Sequence, residues 1–251
     1  MKNPACLILL PGLIAILTTG SAHSAIVGII GSDSVVTAVF DDTSSLDPFT
    51  NPGTTNSITT SLLGWPGGLY SQPTVTDPVT GDTATFGIFA FSTPTAYGVF
   101  LTGTQLTQQI GNSGFARMTI NYRISFQMDA AGLPTQLITI PSINLAGTVQ
   151  TGGFATFTGT LNFESAALGN FNTVNYAYGN TTPGAFATTI GGTPTLPPSF
   201  TLPANDVLTL DGQYTMIVDP ASFSVEFVPE PSVAGSLLLA LATTLRRRRT
   251  R

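Results

Sequence analysis

Residues 116–128 alternate between apolar and polar side chains without interruption. The even-numbered positions are apolar and the odd-numbered positions are polar, with Arg117 and Arg123 among the polar ones. Successive side chains of an extended strand point to opposite faces, so this pattern predicts a β-strand with one face on a core and the other in water. Both arginines fall on the face that meets water.

Shorter runs of β-branched and aromatic residues predict further strands along the chain. They span residues 26–30, 35–40, 57–63, 83–91, 97–101, 136–140, 157–163, 174–178, 207–210, 214–218 and 223–227. Turn-forming residues separate them, and no apolar period of 3.6 residues occurs outside the two chain ends. The predicted fold is all-β: an antiparallel β-sandwich of jelly-roll type, with an N-terminal signal helix and a short C-terminal apolar helix.

Three connections carry specific expectations. Asp211-Gly212 is a two-residue turn signal and predicts a hairpin around it. Residues 136–140 are expected to be the hairpin partner of the alternating strand. Two loops are predicted: 41–48, and the Thr-, Gly- and Pro-rich segment 181–205, a long loop or linker with polyproline character.

Charge is distributed unevenly along the chain. Between the two apolar ends only Arg117 and Arg123 are cationic, whereas all thirteen acidic residues lie between Asp33 and Glu230, which gives this part a net charge of −11. An acidic surface without a basic stripe argues against binding of nucleic acid.

The only cysteine, Cys6, and the only histidine, His23, lie in an N-terminal segment that we expect to be removed. A mature chain without them lacks the usual general base, the best nucleophile and the commonest zinc ligands. A Ser-His-Asp triad is therefore excluded. We predict a non-enzymatic protein with no catalytic residues, no metal and no cofactor.

Carboxylates are the remaining candidates for chemistry. Residues 42–44, Asp-Thr-Ser, match only part of an aspartic-protease motif, and no residues mark an Asp/Glu pair for glycoside hydrolysis. Calcium ligands are an alternative use of the turn acids, which are Asp41, Asp42 and Asp47 in one region and Asp77 and Asp82 in another. Neither region has the ligand spacing of an EF-hand or a glycine-aspartate repeat, so these acids are expected to be solvated.

The single tryptophan, Trp65, lies in a Gly- and Pro-rich turn near Tyr70. Aromatic faces on the loops of a β-sandwich can stack on sugar rings, so this pair is a candidate glycan contact. The alternative is that Trp65 folds back over the end of the core.

The first 24 residues have the order of a secretory signal peptide. Lys2 gives a positive start, an apolar segment follows, and Ala22-His23-Ser24 provides a small-residue cleavage site. An uncleaved anchor helix is the alternative. The signal predicts export of the chain.

The C-terminal tail, residues 228–251, has three features in a fixed order. Val228-Pro229-Glu230-Pro231 comes first, an apolar run follows over 233–245, and the chain ends with Arg246, Arg247, Arg248, Arg249 and Arg251. As a helix the apolar run would reach about 20 Å, against a hydrocarbon core of about 30 Å. The arginines are expected to stay cytoplasmic, which places the preceding residues outside.

This tail resembles the PEP-CTERM sorting signal of exported Gram-negative bacterial proteins. The resemblance implies recognition by an exosortase, a membrane cysteine protease, with cleavage near the Pro-Glu-Pro. It also implies association with the cell envelope, extracellular polysaccharide or biofilm matrix. The predicted organisation is then a signal peptide at 1–24, an extracellular β-sandwich domain at 25–227 and the sorting signal at 228–251.

The predicted protein is thus exported by the secretion machinery, held at the inner membrane transiently and released to the cell surface or matrix. Two alternatives stay open. One is a carbohydrate-binding or adhesive β-sandwich module, and the other is a periplasmic protein anchored by an uncleaved tail.

Overall fold

The computed structural model describes residues 26–43, 58–64, 66–71, 73–77, 80–93, 96–112, 114–128, 136–137, 140–195, 199–200, 202–203 and 205–228. The predicted signal helix and the C-terminal helix with its arginines lie outside these ranges. So do Trp65 and the sorting residues Pro229, Glu230 and Pro231.

The described residues form β-strands almost throughout. In chain order the strands are β1 (Ile26–Ile29), β2 (Val35–Thr43), β3 (Ile58–Leu63), β4 (Gly68–Ser71), β5 (Val75–Thr76), β6 (Thr83–Thr85), β7 (Gly87–Thr93), β8 (Ala96–Leu101), β9 (Thr104–Thr107), β10 (Phe115–Met128), β11 (Gln136–Leu137), β12 (Ser142–Ser165), β13 (Gly169–Asn180), β14 (Gly184–Ile190), β15 (Thr193–Pro194), β16 (Ser199–Phe200) and β17 (Val207–Val228). A single turn of 3-10 helix, Gly31–Asp33, connects β1 to β2.

The predicted alternating strand is confirmed as β10. Its even-numbered side chains, from Ala116 to Met128, are at most 2% exposed and belong to the hydrophobic core. β10 pairs with β2 on one edge and with β17 on the other, and every strand pairing in the described part of the chain is antiparallel. The all-β, antiparallel expectation is confirmed, and the arrangement is consistent with a β-sandwich.

The longest strands, β12 and β17, each contribute to two groups of strands. β12 pairs with β14 through its first half and with β13 through its second half. β17 pairs with β10 through its first half and with β9 through its second half. The two halves of this β12–β17 ribbon therefore carry different neighbours: β13, β10, β2 and β3 on one half, and β14, β9, β6 and β5 on the other.

The ribbon changes register where the two halves meet. Val149 pairs with Ala221, but the next pair is Phe154 with Asp219, so several residues of β12 lie opposite Pro220. Gly152 has a φ of 82°, and a Cβ on Gly153 would lie 2.3 Å from the Asp219 carbonyl oxygen. An irregularity of this kind bends a strand, and Pro220, which has no N–H to donate, is compatible with it.

One hydrophobic core joins the two halves of the ribbon and the separate three-stranded sheet β4-β7-β8. Across the two halves, the ring of Tyr178 packs against Phe223, with centroids 6.3 Å apart. The three-stranded sheet contributes Tyr97, whose ring centroid is 5.3 Å from that of Phe126 on β10. Aromatic contacts therefore connect the two halves of the ribbon with each other and with the three-stranded sheet.

Rings also pack over glycines of adjacent strands. Tyr122 pairs with Gly212 and Tyr214 pairs with Gly159. A Cβ on Gly212 would lie 2.4 Å from the Tyr122 ring, and one on Gly159 would lie 2.2 Å from the Tyr214 ring. Only glycine leaves room for these rings in the sheet.

This packing corrects the hairpin that we predicted at Asp211-Gly212. Both residues lie in the middle of the continuous strand β17, which also includes 214–218 and 223–227. The glycine provides space for Tyr122 instead of a turn, and Asp211 faces Arg123 on β10. Gly212 is therefore explained by ring packing within a strand and not by a turn.

Three further expectations are corrected. Of the predicted hairpin partner 136–140, the residues Gln136–Leu137 form β11, which belongs to a separate two-stranded sheet with β16 and does not pair with β10. Segment 181–205 is not all loop, since β14 pairs with β12 along seven residues. Asp41 and Asp42, predicted to begin the loop 41–48, lie in β2, which continues to Thr43.

Candidate functional site

The outward side of β10 and its neighbours forms a broad polar surface, which we call the polar face. Strand register places its residues in rows across four strands. Its members are Thr119, Asn121 and Arg123 on β10, Asp211, Gln213 and Thr215 on β17, Thr158, Thr160 and Asn162 on β12, and Thr173 and Asn175 on β13. These side chains are exposed or half-buried, and most are neutral hydroxyls and amides.

Hydrogen bonds between neighbouring strands order part of this surface. Thr173 Oγ1 donates to Asn162 Oδ1 at 2.8 Å, and Thr160 Oγ1 donates to Asn175 Oδ1 at 3.3 Å. Cross-strand pairs of this kind stabilise a sheet by fractions of a kcal/mol, roughly 0.2–1 each. They also fix the side-chain rotamers that the surface presents.

Charge on the polar face is concentrated in one group. Arg123 Nη1 donates to Asp211 at 3.0 Å and its Nη2 donates to Glu164 at 2.6 Å. The hydrogen bond to Glu164 raises the pKa of the Arg123 guanidinium, and both carboxylates add to this effect. The Arg123 side chain is 44% exposed, so solvent screens the group and its contribution to stability is small.

The other body arginine forms a more buried ion pair. Arg117 Nη2 donates to Asp41 Oδ2 at 2.6 Å, and the two side chains are 19% and 7% exposed. Asp41 is therefore not a solvated turn acid, as we had expected, but part of a strand-to-strand pair. The other members of that predicted group give no structural answer, because Asp47 and the side chain of Asp42 lie outside the described part.

Asp77 and Asp82 are likewise not solvated. They lie opposite each other at the end of the β5–β6 hairpin, where Asp77 N–H donates to the Asp82 carbonyl at 2.8 Å, and both are fully buried. The strands on either side of the predicted turn pair with each other, but the two acids are on the buried side. Among the described residues, no group of three or more His, Cys, Asp and Glu side chains has a geometry that could hold a metal ion.

The predicted glycan contact is only partly described. Tyr70 lies on β4, half-buried against the core, with its ring centroid 6.2 Å from that of Phe86. Its neighbour Leu69 points outward and is 68% exposed. The Tyr70 ring therefore packs partly against the core, and its role in sugar binding stays a prediction.

Sequence reasoning identified the two arginines on the polar side of β10 but missed their partners. Asp211 was assigned to a turn, and Glu164 was noted only as one of few glutamates. The available signal was the charge composition. Two cations lie between the apolar ends and the chain has thirteen acids, so each arginine can be expected to pair with an acid on an adjacent strand. Register, which decides which acids these are, depends on pairing that the sequence did not give.

In the ranges that the structure describes, no helix has the length and apolar character needed to cross a membrane. This finding does not extend to the N-terminal segment or to the tail.

Comparison with known proteins gives no family for this chain. No protein-family model and no curated protein matches it. One solved structure, a carbohydrate-binding module from the β-sandwich superfamily with promiscuous specificity, is 14% identical with a TM-score of 0.22; the match covers 83% of this chain and 95% of that one. Another, from infectious bursal disease virus Gx strain, is 11% identical with a TM-score of 0.18, covering 81% and 62%. Neither similarity is close enough to indicate shared ancestry or a shared site.

Proposed function

We infer that this chain is an exported, non-enzymatic protein of the cell surface or extracellular matrix, sorted by an exosortase through its C-terminal tail. The observation that carries the proposal is the ordered tail: Val228-Pro229-Glu230-Pro231, the apolar run 233–245, and the terminal arginines. The signal peptide at the other end agrees with it, because both place the β domain outside the cell.

The position of the tail relative to the fold supports this proposal. β17, the last described strand, extends to Val228, the first residue of the motif. Cleavage within Pro229–Pro231 would leave all seventeen described strands intact. A sorting tag that is to be removed needs this independence from the folded domain.

The surface of the domain supports an interaction role over a catalytic one. Asp211 and Glu164 both accept hydrogen bonds from Arg123, and Asp77 and Asp82 are fully buried and therefore not accessible to a substrate. A glycosidase needs two accessible carboxylates flanking a sugar. Among the residues described, these acids do not offer that arrangement.

Mass spectrometry of both termini of the mature protein tests the sorting proposal. The expected N-terminus is Ala25 or Ile26, and the expected C-terminus lies near Pro229–Pro231, without the arginines. Deleting 229–231 should leave export through the inner membrane unchanged and block the later release. Recovery of Arg251 in surface-released protein would reject exosortase sorting and favour the uncleaved anchor.

Carbohydrate binding is the second candidate, favoured by the neutral hydroxyl and amide composition of the polar face. Such groups exchange hydrogen bonds with sugar hydroxyls, and an acidic domain does not repel a neutral polysaccharide. A pull-down on neutral and anionic matrix polysaccharides tests this. Replacing Gln213 and Asn175 together by alanine should weaken retention. The same change at two exposed residues in the other group of strands, Asn144 on β12 and Gln105 on β9, should not.

The aromatic pair predicted from the sequence has its own test. Trp65→Ala and Tyr70→Ala should reduce retention if the β4 region contacts sugar. Equal retention by the wild type, both aromatic variants and the Gln213/Asn175 variant would reject carbohydrate binding at either place.

A further inference from the structure

Three oxygen-bearing side chains lie side by side at one end of the sheet: Asp77, Asp82 and Gln108. Asp77 and Asp82 face each other across the β5–β6 hairpin. Thr83 pairs with Thr107, so the next position in that register places Asp82 opposite Gln108. Gln108 N–H donates to the Ala221 carbonyl at 2.9 Å, which continues the row to β17. Neighbouring strands are about 4.8 Å apart, so consecutive side chains in this row are within reach of one shared ion.

All three side chains are on the inward face. Asp77 and Asp82 are 0% exposed and Gln108 is 3% exposed. On the same strands, Ala84 and Leu106 point the same way into the hydrophobic core. Burying two carboxylates near each other is unfavourable unless positive charge or a shared proton compensates them.

In the described part of the chain, Arg117 pairs with Asp41, and Arg123 pairs with Glu164 and Asp211. Donors that contact Asp82 are backbone and side-chain amides: Gln109 N–H donates to Asp82 Oδ1 at 2.7 Å and Asn112 Nδ2 donates to the same oxygen at 2.6 Å. Such amide donors are neutral dipoles, so they do not change the formal charge of Asp77 and Asp82.

Gln108 provides an independent observation. Its Nε2 donates to the Gly114 carbonyl at 3.0 Å, but its Oε1 is buried and accepts no hydrogen bond from any described residue. A buried amide oxygen without a donor is costly, by about 1–3 kcal/mol, and is uncommon in native proteins. Here it belongs to the same inward row as the two carboxylates.

We propose that Asp77, Asp82 and Gln108 together bind one calcium ion. Calcium takes oxygen ligands from carboxylates, amides and backbone carbonyls, and tolerates irregular geometry. Two carboxylates neutralise its charge, and the amide oxygen gains a partner. Zinc would require histidine or cysteine, and neither residue type occurs after His23.

The ion would join two loops to the edge of the sheet. Asn112, in the loop after β9, donates to both Asp82 Oδ1 and the Thr80 carbonyl, the latter at 3.0 Å. Asn112 is thus a positioning residue that holds Asp82 toward the site. This proposal does not depend on sorting or on glycan binding, and its failure would leave both untouched.

Titration of the full chain with calcium, after removal of metals by a chelator, tests the proposal. Isothermal titration calorimetry should show one site, and the melting temperature should rise with calcium and saturate. Magnesium at equal concentration should have a smaller effect, because it prefers strict octahedral geometry and keeps its waters.

Variants separate ligation from a structural role. Asp82→Asn and Asp77→Asn should each lower calcium affinity at least tenfold, whereas Asp211→Asn, which removes an acid of the polar face, should leave it unchanged. Gln108→Glu should raise the affinity, since it replaces an amide ligand with a carboxylate of equal size. A purely structural glutamine would not give this increase, and the variant carries the test if the aspartate variants do not fold.

Two results would overturn the proposal. One is the absence of heat and of any melting shift with calcium in the wild type. The other is an unchanged calcium affinity in all three variants, Asp77→Asn, Asp82→Asn and Gln108→Glu.

Discussion

The ring of Tyr214 lies over Gly159 of the adjacent strand, so closely that a Cβ on Gly159 would be 2.2 Å from Cδ1 of the ring. Gly159 also pairs with Tyr176 on its other side, and the rings of Tyr176 and Tyr214 are 6.3 Å apart between centroids. The missing side chain thus creates the space that two tyrosines share. Glycine normally weakens a strand, and here the packing of large rings offsets that loss.

Gly159→Ala should destabilise the protein by about 1–3 kcal/mol, because the methyl group forces the Tyr214 ring from its position. Urea unfolding of the purified protein measures this. Gly179→Ala on β13 is the matched control, since its nearest neighbour would be Thr156 Cγ2 at 3.9 Å. That change should be within about 0.5 kcal/mol of the wild type. Equal effects of the two substitutions would contradict the packing described.

Gly153→Ala should lower the free energy of unfolding at least as much as Gly159→Ala. Its Cβ would lie 2.3 Å and 2.6 Å from the carbonyl oxygens of Asp219 and Pro220, which are backbone atoms and cannot rotate away. Gly191→Ala serves as the control, because nothing lies within 4 Å of that position. The same urea titration applies, and an unaffected Gly153→Ala variant would show that the ribbon is not bent as described.

The two arginines should differ strongly in their importance. Arg117→Met leaves the Asp41 carboxylate, 7% exposed, without its cation, and we expect a loss of about 2 kcal/mol. Arg123→Met removes an exposed cation and should cost less than about 1 kcal/mol. Thermal and urea unfolding of the two variants and the wild type measure the two losses of stability.

A double-mutant cycle tests whether Arg117 and Asp41 interact. Asp41→Asn should recover part of the stability that Arg117→Met loses, because it removes the uncompensated charge. Additive losses in the double variant would mean that the two side chains do not interact.

Alkaline pH should unfold the protein through its buried tyrosines. Burial raises the pKa of Tyr122, Tyr176 and Tyr214 well above the usual value of about 10. Because the folded state holds these protons more tightly, their stabilising contribution is complete below pH 10 and is lost as pH rises toward the folded-state pKa. Tyrosinate absorbance from the buried rings should therefore appear together with loss of the β-sheet circular dichroism signal. Full ionisation of all six tyrosines with the sheet signal intact would contradict this.

Local patterns predicted the strands well where one face is buried. The alternation in 116–128 predicted β10 to within one residue. In a strand with one buried face, every second side chain must be apolar, so the sequence itself shows the alternation. The same reasoning predicted only fragments of β12 and β17. Their outward positions include glycine and small residues at the bend, and these interrupt the pattern without ending the strand.

Local sequence patterns did not predict which distant residues become neighbours in the sheet. Asp211-Gly212 has the composition of a turn, and only knowledge that Tyr122 lies across from Gly212 shows why it is not one. Asp77 and Asp82 flank a predicted turn, yet both are buried, and β6 pairs beside them with β9. In both cases the deciding neighbour is distant along the chain.

The shared β12–β17 ribbon has a mechanical consequence. A molecule held at the cell surface by the end that follows Val228 transmits any pull directly into β17. That strand pairs on one edge with β12, between Leu208 and Val228, and on the other edge with β10 through Val207–Val218 and with β9 through Ser222–Val225. A force applied through such a tether would have to break hydrogen bonds on both edges of β17 before this strand could leave the sheet.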